Sequence, residues 1–507
     1  MATTTTPATG SALDRWFEIT KRGSSLAQEV RGGIVTFITM AYIVVLNPLI
    51  IGTVTDGEGK FLGGGDAPNI PLVAATTAIL AGVLTIAMGA FGRMPIALAA
   101  GLGLNGYVTY TLAKSSTWSE AMGLVVLEGL IILVLVLTGF RTAVFNAVPA
   151  GLRYAIGVGI GLFITLIGLV DAGVVRANGV PLLHFGNDNG SLRGWPLLVF
   201  CVGVLLTGIL VAKRMKGAIL IGLLTSTVFA IVLESAFKIG AANTDTNPGT
   251  LENPSGWALN VPHVPSSGFA APKFDLFGQV DLTGALQAAP LAAALAVFTL
   301  LLSDFFDTMG TVYAISTEGN LLDENGDVPH LKEVLIVDSV AAAAGGFGGT
   351  SSNTSYIESA SGVGDGARTG FASLITGALF LVAAFFAPLT EIVPHEAAAP
   401  ALVIVGFLMM TQVRNIDWDD YSIGIPAFLT MILMPFTYNI AIGIGAGVVS
   451  YTAIKLFTGR GKDIKPLLWV VTIAFLVYFL SSPLMTAFGL HAPLVPCGNQ
   501  WMPFCAA

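Results

Sequence analysis

Apolar residues fill long stretches of this chain, and polar residues arrive in clusters between them rather than at a short helical or strand period. Runs at 32–54, 117–139 and 368–389 approach the length needed to cross a hydrocarbon core about 30 Å thick. Further runs at 71–92, 94–112, 149–171, 194–212 and 217–237 complete a first set of seven. Those at 289–315, 330–348, 350–365, 397–413, 421–436 and 438–458 join 368–389 in a second. A polar stretch at 238–288, with clusters of Asn, Pro, Gly and Ser, divides the two sets. The pattern predicts an all-α polytopic membrane protein of fourteen segments, followed by one more apolar run at 466–488.

Composition agrees. With 54% hydrophobic and 11% charged residues and a mean hydropathy of +0.80, the chain lies beyond the range of soluble globular proteins. Residues 1–31 begin Thr-rich and then carry Arg15, Lys21, Arg22 and Arg31. No short apolar stretch with a small-residue cleavage site precedes them, so this start reads as a cytoplasmic tail. Threading the segments from a cytoplasmic N-terminus puts seventeen of the 23 Lys and Arg residues on the cytoplasmic side, as the positive-inside bias requires. The net charge of -8 says little about partners, since most carboxylates fall in connecting loops, and no basic, aromatic-interleaved patch suggests nucleic acid. The three cysteines show no metal-ligand spacing. Cys201 reads as a small buried hydrophobe. If 466–488 spans, Cys497 and Cys505 emerge outside, where their eight-residue separation could close a disulfide.

Two segments are poor ordinary helices. Residues 94–112 (MPIALAAGLGLNGYVTYTL) and 345–365 (GGFGGTSSNTSYIESASGVGD) are rich in Gly and small polar residues, and they occupy the third place in each set of seven. Non-helical backbone is tolerated at membrane depth only where protein covers it or it lines a cavity, and a matched pair of broken segments points to a transporter's binding site. The bland alternative is two glycine-rich helices in close contact.

Ionisable side chains inside the apolar runs are few and acidic: Glu128, Asp304, Asp307, Asp338 and Glu358, with Glu234 near a segment end. Without a mid-membrane Lys or Arg, a permanently anionic substrate would lack a counter-charge, and a neutral molecule rich in hydrogen-bonding groups fits better. Asp304 and Asp307, three apart, share a helical face with Thr308 and Thr311. Desolvation disfavours the charged form of a carboxylate there, the property a proton carrier needs. The competing reading is a cap or an ion pair with a neighbouring segment. Glu358, flanked by Ser355, Tyr356 and Ser359, could accept N–H groups of a planar heterocycle or could satisfy the broken backbone. Asn105 offers donor and acceptor, or forms a turn beside Gly103 and Gly106. Interhelical pairing suits Glu128 and Asp338, which stand in unbroken segments. The five histidines fall in loops or at segment ends and supply neither metal site nor catalytic base.

The runs ITMAYIVVLNP (38–48), GLGLNGYVTY (101–110), SDFFDTMGTVYA (303–314) and TSYIESASGVGDGARTG (354–370) resemble the signatures of the azaguanine-type adenine/guanine/hypoxanthine permeases, within the nucleobase–ascorbate transporter superfamily. The resemblance covers nearly all of residues 20–458. It implies two inverted sevens with short strands in segments three and ten, a core domain from 32–139 and 289–389, and a gate domain from 140–237 and 390–458. The extracytoplasmic loop 238–288 and the C-terminal part 459–507 complete the division. It further implies substrate contacts by Asp304, Glu358 and Asn105, with Tyr356, Ile357, Gly106 and Ser359 around them. Proton coupling would run through Asp304, Glu358 or Asp307, without a cofactor, in a homodimer of the plasma membrane. An Asp rather than a Glu at 304 leaves room for a bicyclic base. The expectation is proton-coupled import of purine nucleobases by an elevator-like shift of core against gate. A uracil/xanthine carrier, and an anion exchanger or channel of the same shape, are the rivals; a membrane-embedded enzyme would need a nucleophile–base pair or a metal cluster.

Overall fold

The computed structural model describes residues 12–139, 148–176, 184–185, 194–242, 253, 255–258, 260–263, 268–323 and 328–480. Among them, ten helices are long and apolar enough to cross a membrane, and two shorter apolar helices accompany them.

The N-terminal half contains α1 (Ala12–Phe17), α2 (Leu26–Met40), α3 (Ile43–Ile51), α4 (Ile70–Ala87), strand β1 (Leu98–Ala100), α5 (Leu102–Tyr107), α6 (Trp118–Leu137), α7 (Ala150–Asp171), the short hairpin β2 (Val175–Arg176) and β3 (His184–Phe185), α8 (Trp195–Ala212) and α9 (Ala218–Phe237). The C-terminal half contains α10 (Gly284–Ala288), α11 (Pro290–Glu318), α12 (Leu331–Phe347), strand β4 (Asn353–Ser355), α13 (Ser359–Gly364), α14 (Gly370–Ala383), α15 (His395–Met410), α16 (Tyr421–Thr437), α17 (Ile440–Phe457) and α18 (Pro466–Phe479). The run 466–488 is therefore helical through Phe479, and its last residues, with Cys497 and Cys505, lie outside the described residues.

Local chemistry sets many boundaries. Asn69 caps α4, with Pro71 in the first turn. Thr117 and Glu120 form a reciprocal capping box at α6, while Asp420 and Asn439 cap α16 and α17. Two differences from the sequence pattern stand out. Helix α2 starts at Leu26, before the apolar run, because Ser25 accepts a bond from Gln28 N–H and Phe17 and Ile19 are buried, drawing the tail onto the body. Arg22 continues that strap by donating to the carbonyls of Arg93 and Arg368, and the Arg93 guanidinium sits 4.3 Å from the Trp16 ring centre. The second difference is a turn at Ala41 and Tyr42 that divides the run 32–54 into α2 and α3.

Packing is close where glycines permit it. A Cβ on Gly346 would come within 2.8 Å of both Met122 O and Val126 N, so α12 and α6 approach backbone to backbone. Helices α7 and α15, α16 and α17, α7 and α16, and α4 and α14 are further extensive pairs. Glu234, near the end of α9, accepts bonds from Ile239 N–H, Gly240 N–H and the fully buried Trp257 indole, so the following loop folds back onto the helix ends.

Candidate functional site

The two interrupted segments meet. Strands β1 and β4 pair antiparallel, with Leu98 opposite Ser355, Ala99 opposite Thr354 and Ala100 opposite Asn353. The pairing continues one step at each end, Gly101 N–H to Ser352 O and Tyr356 N–H to Ala97 O, both 2.9 Å. Neighbouring hydroxyls satisfy what the strands cannot. Thr85 both accepts from Leu98 N–H and donates to Leu98 O, at 2.9 and 3.1 Å. Ser373 donates to Met94 O and Ile96 O at 2.9 Å, and the Tyr356 hydroxyl donates to Ala100 O at 2.5 Å. This accounting is what lets extended backbone persist in so apolar a chain.

Carboxylates anchor the second strand. Asp338 on α12 accepts from Thr308 at 2.8 Å and Ser355 at 2.9 Å, tying α11, α12 and β4 together, and Thr308 lies 2.9 Å from Thr354. Glu128 on α6 accepts from Ser352 at 3.3 Å. Both acids bridge segments, as their places in unbroken helices suggested.

The expected site residues fall into two groups. Asp304, Asn105 and Ser359 are fully buried. Asn105 donates its amide to Asn47 Oδ1 at 2.5 Å, and Ser359 accepts from Ala97 N–H at 3.0 Å. Gly106 faces α7: a Cβ there would meet Phe163 at 3.0 Å. Tyr356 is 6% exposed, with its hydroxyl engaged by β1. Asp307 and Ile357, by contrast, are open to solvent, and Glu358 is half-buried. Asp338 and Glu358 both lie within electrostatic reach of Asp307.

From Asp307 the open face of α11 continues through Gly310, Ala314 and Thr317, spaced as one helical stripe. No neighbouring atom lies within 4 Å of where a Gly310 Cβ would stand. The stripe carries an acid, a hydroxyl and two small residues, whereas faces such as Leu205, Val228 and Phe436 expose large apolar side chains. It is polar and small where those faces are apolar and large. No Lys or Arg occurs in 94–107, 290–318 or 348–364, the stretches that carry the two strands and α11. Among the described residues, no group of three or more His, Cys, Asp or Glu is placed to hold a metal ion.

Segment one contributes residues that the pattern of broken helices did not single out. The Tyr42 hydroxyl donates to Glu358 Oε1, and Thr39 Oγ1 approaches Glu358 O at 3.4 Å. Asn47, which receives Asn105, donates to Thr77 at 2.8 Å. The available signal was a Tyr and an Asn inside an otherwise apolar run.

An apolar helical body with two broken segments paired among acids has the build of a multi-pass membrane protein. The match to the Permease family (Xan_ur_permease) extends over residues 27–438, and the chain belongs to this family. That agrees with the nucleobase–ascorbate transporter resemblance carried by its four motifs. Among its relatives are the guanine/hypoxanthine permease PbuG of Bacillus subtilis, 36% identical over 92% of this chain and 99% of that protein, and the adenine permease AdeP of Escherichia coli, 34% identical over 93% and 97%. The fold is like that of the transmembrane domain of the cyanobacterial bicarbonate transporter BicA, with a TM-score of 0.56 at 15% identity, covering 83% of this chain and 97% of that one. It is also like the murine anion transporter Slc26a9 in its inward-facing state, with a TM-score of 0.57 at 11% identity, covering 90% and 74%.

Proposed function

We propose that this protein is a secondary active transporter that imports purine nucleobases by proton symport. The observation that carries the reading is the pair of acids beside the paired strands β1 and β4, Asp307 exposed and Glu358 half-buried, which we read as the floor of a water-lined trough. Carboxylates accept hydrogen bonds and suit the N–H groups of a purine edge, and protonation of one of them couples a proton to the cycle. Relatives named as guanine/hypoxanthine and adenine permeases support the substrate class. The fold is shared with anion carriers, but a site without Lys or Arg disfavours an anion here.

In this reading the chain is two inverted sevens, with 32–139 and 289–389 as the moving core and 140–237 and 390–458 as the gate of a homodimer. Asp304 and Asn105 bind from behind the trough, and Asp304, Glu358 or Asp307 carries the proton. With the N-terminus cytoplasmic, the exposed stripe from Asp307 to Thr317 runs toward the cytoplasm and is the exit path in this reading. Radiolabelled hypoxanthine should enter proteoliposomes faster under an inward proton gradient and be displaced by unlabelled guanine or adenine. An unchanged rate on collapsing the gradient would sink the coupling, and no saturable uptake of any purine would sink the substrate class.

An ion pair crosses the proposed boundary. Lys216, between α8 and α9, pairs with Asp365 at the end of α13, which also holds Arg31 Nε at 2.6 Å. The Lys216 hydrogen bond, with the Lys216 and Arg31 charges, keeps the Asp365 carboxyl below the usual aspartate range. A depressed folded-state value stabilises above the unfolded value and is lost as pH falls through the folded one. Lys216→Ala should therefore lower the melting temperature of the detergent-solubilised protein at neutral pH. The two melting curves should converge only below roughly pH 4, the ordinary aspartate value. Parallel curves at every pH would show that Asp365 is not the partner that matters.

A further inference from the structure

We infer that Tyr42 is a positioning residue for the ligand-binding carboxylate, holding Glu358 in one orientation from a different membrane segment. The inference rests on the reading of Glu358 as a substrate group and adds the residue that sets its geometry.

Four observations carry it. Tyr42 is fully buried, yet its hydroxyl reaches the half-buried Glu358 and donates to Oε1. Thr39, three residues earlier on the same helical face, approaches the backbone carbonyl of Glu358, so segment one reaches both the side chain and the main chain of this one residue. The rest of that face is made small to allow it. A Cβ on Gly32 would lie 2.8 Å from Gly362 O and 2.6 Å from the Ala367 Cβ, so α2 seats directly on the end of α13. Finally, the chain turns at Tyr42. Val45 and Leu46 N–H both bond to Tyr42 O, at 3.0 and 2.9 Å, and Pro48 supplies no N–H to Val44 O. Ala41 and Tyr42 keep right-handed helical dihedrals, so the phenol stays on the face of Thr39 at the junction of α2 and α3.

The chemical consequence concerns the choice of acceptor. An ionised carboxylate has about four lone-pair sites on two oxygens. With Tyr42 on Oε1, the rotation of the group is set, and an incoming N–H pair meets Oε2 and the remaining lone pair of Oε1 in a defined direction. Tyr356 and Asp307 are the other titratable groups facing this cluster; the Tyr356 hydroxyl is committed to Ala100 O, which leaves Tyr42 as the side-chain donor that the described structure shows on Glu358. Orientation costs less when it is settled before the ligand arrives, so the loss should appear in KM more than in kcat.

Tyr42→Phe keeps the ring and removes only the hydroxyl. Infrared difference spectra of the purified, ligand-free protein, with Glu358→Gln used to assign the band, should show the Glu358 carboxyl stretch displaced in Tyr42→Phe. An unmoved band overturns the inference. Hypoxanthine uptake by Tyr42→Phe should show KM raised about tenfold with a smaller change in kcat, and hypoxanthine binding by Tyr42→Phe/Glu358→Ala, where the acceptor itself is gone, should be no weaker than by Glu358→Ala alone. Fully additive losses would mean that Tyr42 acts through packing and would overturn it as well. If no purine is transported at all, the functional reading fails, and the infrared band alone still decides whether Tyr42 holds Glu358.

Discussion

Glu358→Gln is expected to remove hypoxanthine uptake almost completely while leaving an inserted, monodisperse protein. The substitution keeps the shape of the side chain and an acceptor for Tyr42, but it ends the charge and the capacity to take up a proton. A hydrogen bond to an ionised group contributes about 1.5–3 kcal/mol, so losing charge-assisted contacts to purine N–H groups lowers kcat/KM on the order of a hundredfold. Loss of proton exchange adds to this in the presence of a gradient. Counterflow, which needs no net proton movement, separates the two effects. A residual counterflow rate with no gradient-driven uptake would assign Glu358 to coupling, and normal rates in both assays would remove Glu358 from the site.

The other large effect falls outside the trough. Gly345→Val should prevent the protein from reaching a stable fold. A Cβ at Gly345 would run into Ser351 O and the Asn353 amide, with Asn353 N 3.0 Å away, and two of these are backbone atoms of the turn that leads into β4. Inserting bulk into a packed interior typically costs about 1–3 kcal/mol, and more where backbone must move. Here movement would also separate β4 from β1 and pull Ser355 from Asp338. Fluorescence-detected size exclusion should show the variant mostly aggregated, and a sharp wild-type peak with an unchanged melting temperature would contradict the close approach. The comparison with Glu358→Gln is informative because the first variant should fail in function and the second in folding.

Much of the site's location was readable from residue types. The broken segments announced themselves as Gly, Ser, Thr and Asn where apolar residues were due, and β1 and β4 fall within them. The acids were equally visible, because a carboxylate in an apolar run persists only for a reason. How the two acids of α11 divide between interior and surface was not visible. Asp304 and Asp307 lie three apart on one stretch of helix, yet one is fully buried and the other open, because the partners packed around α11 differ at the two positions. Asp338 and Glu358 were told apart by their segments, unbroken and broken; the partners were not, Asp338 spending its oxygens on Thr308 and Ser355 and Glu358 lying half-buried beside Tyr42.

What the chain determines by itself is therefore the set of apolar segments, the two places where they break and the acidic character of the interior. Each of these depends on local composition, since the free energy of placing a residue in hydrocarbon is decided largely by that residue and its neighbours. Only the tertiary structure decided the β1–β4 register, the contact of Tyr42 with Glu358, the burial of Asn105 against Asn47 and the open stripe below Asp307. Those features arise between residues up to 316 positions apart. A hydrogen bond or a close glycine contact across that distance leaves no periodic trace in either segment, because its physical cause is the partner's position after folding.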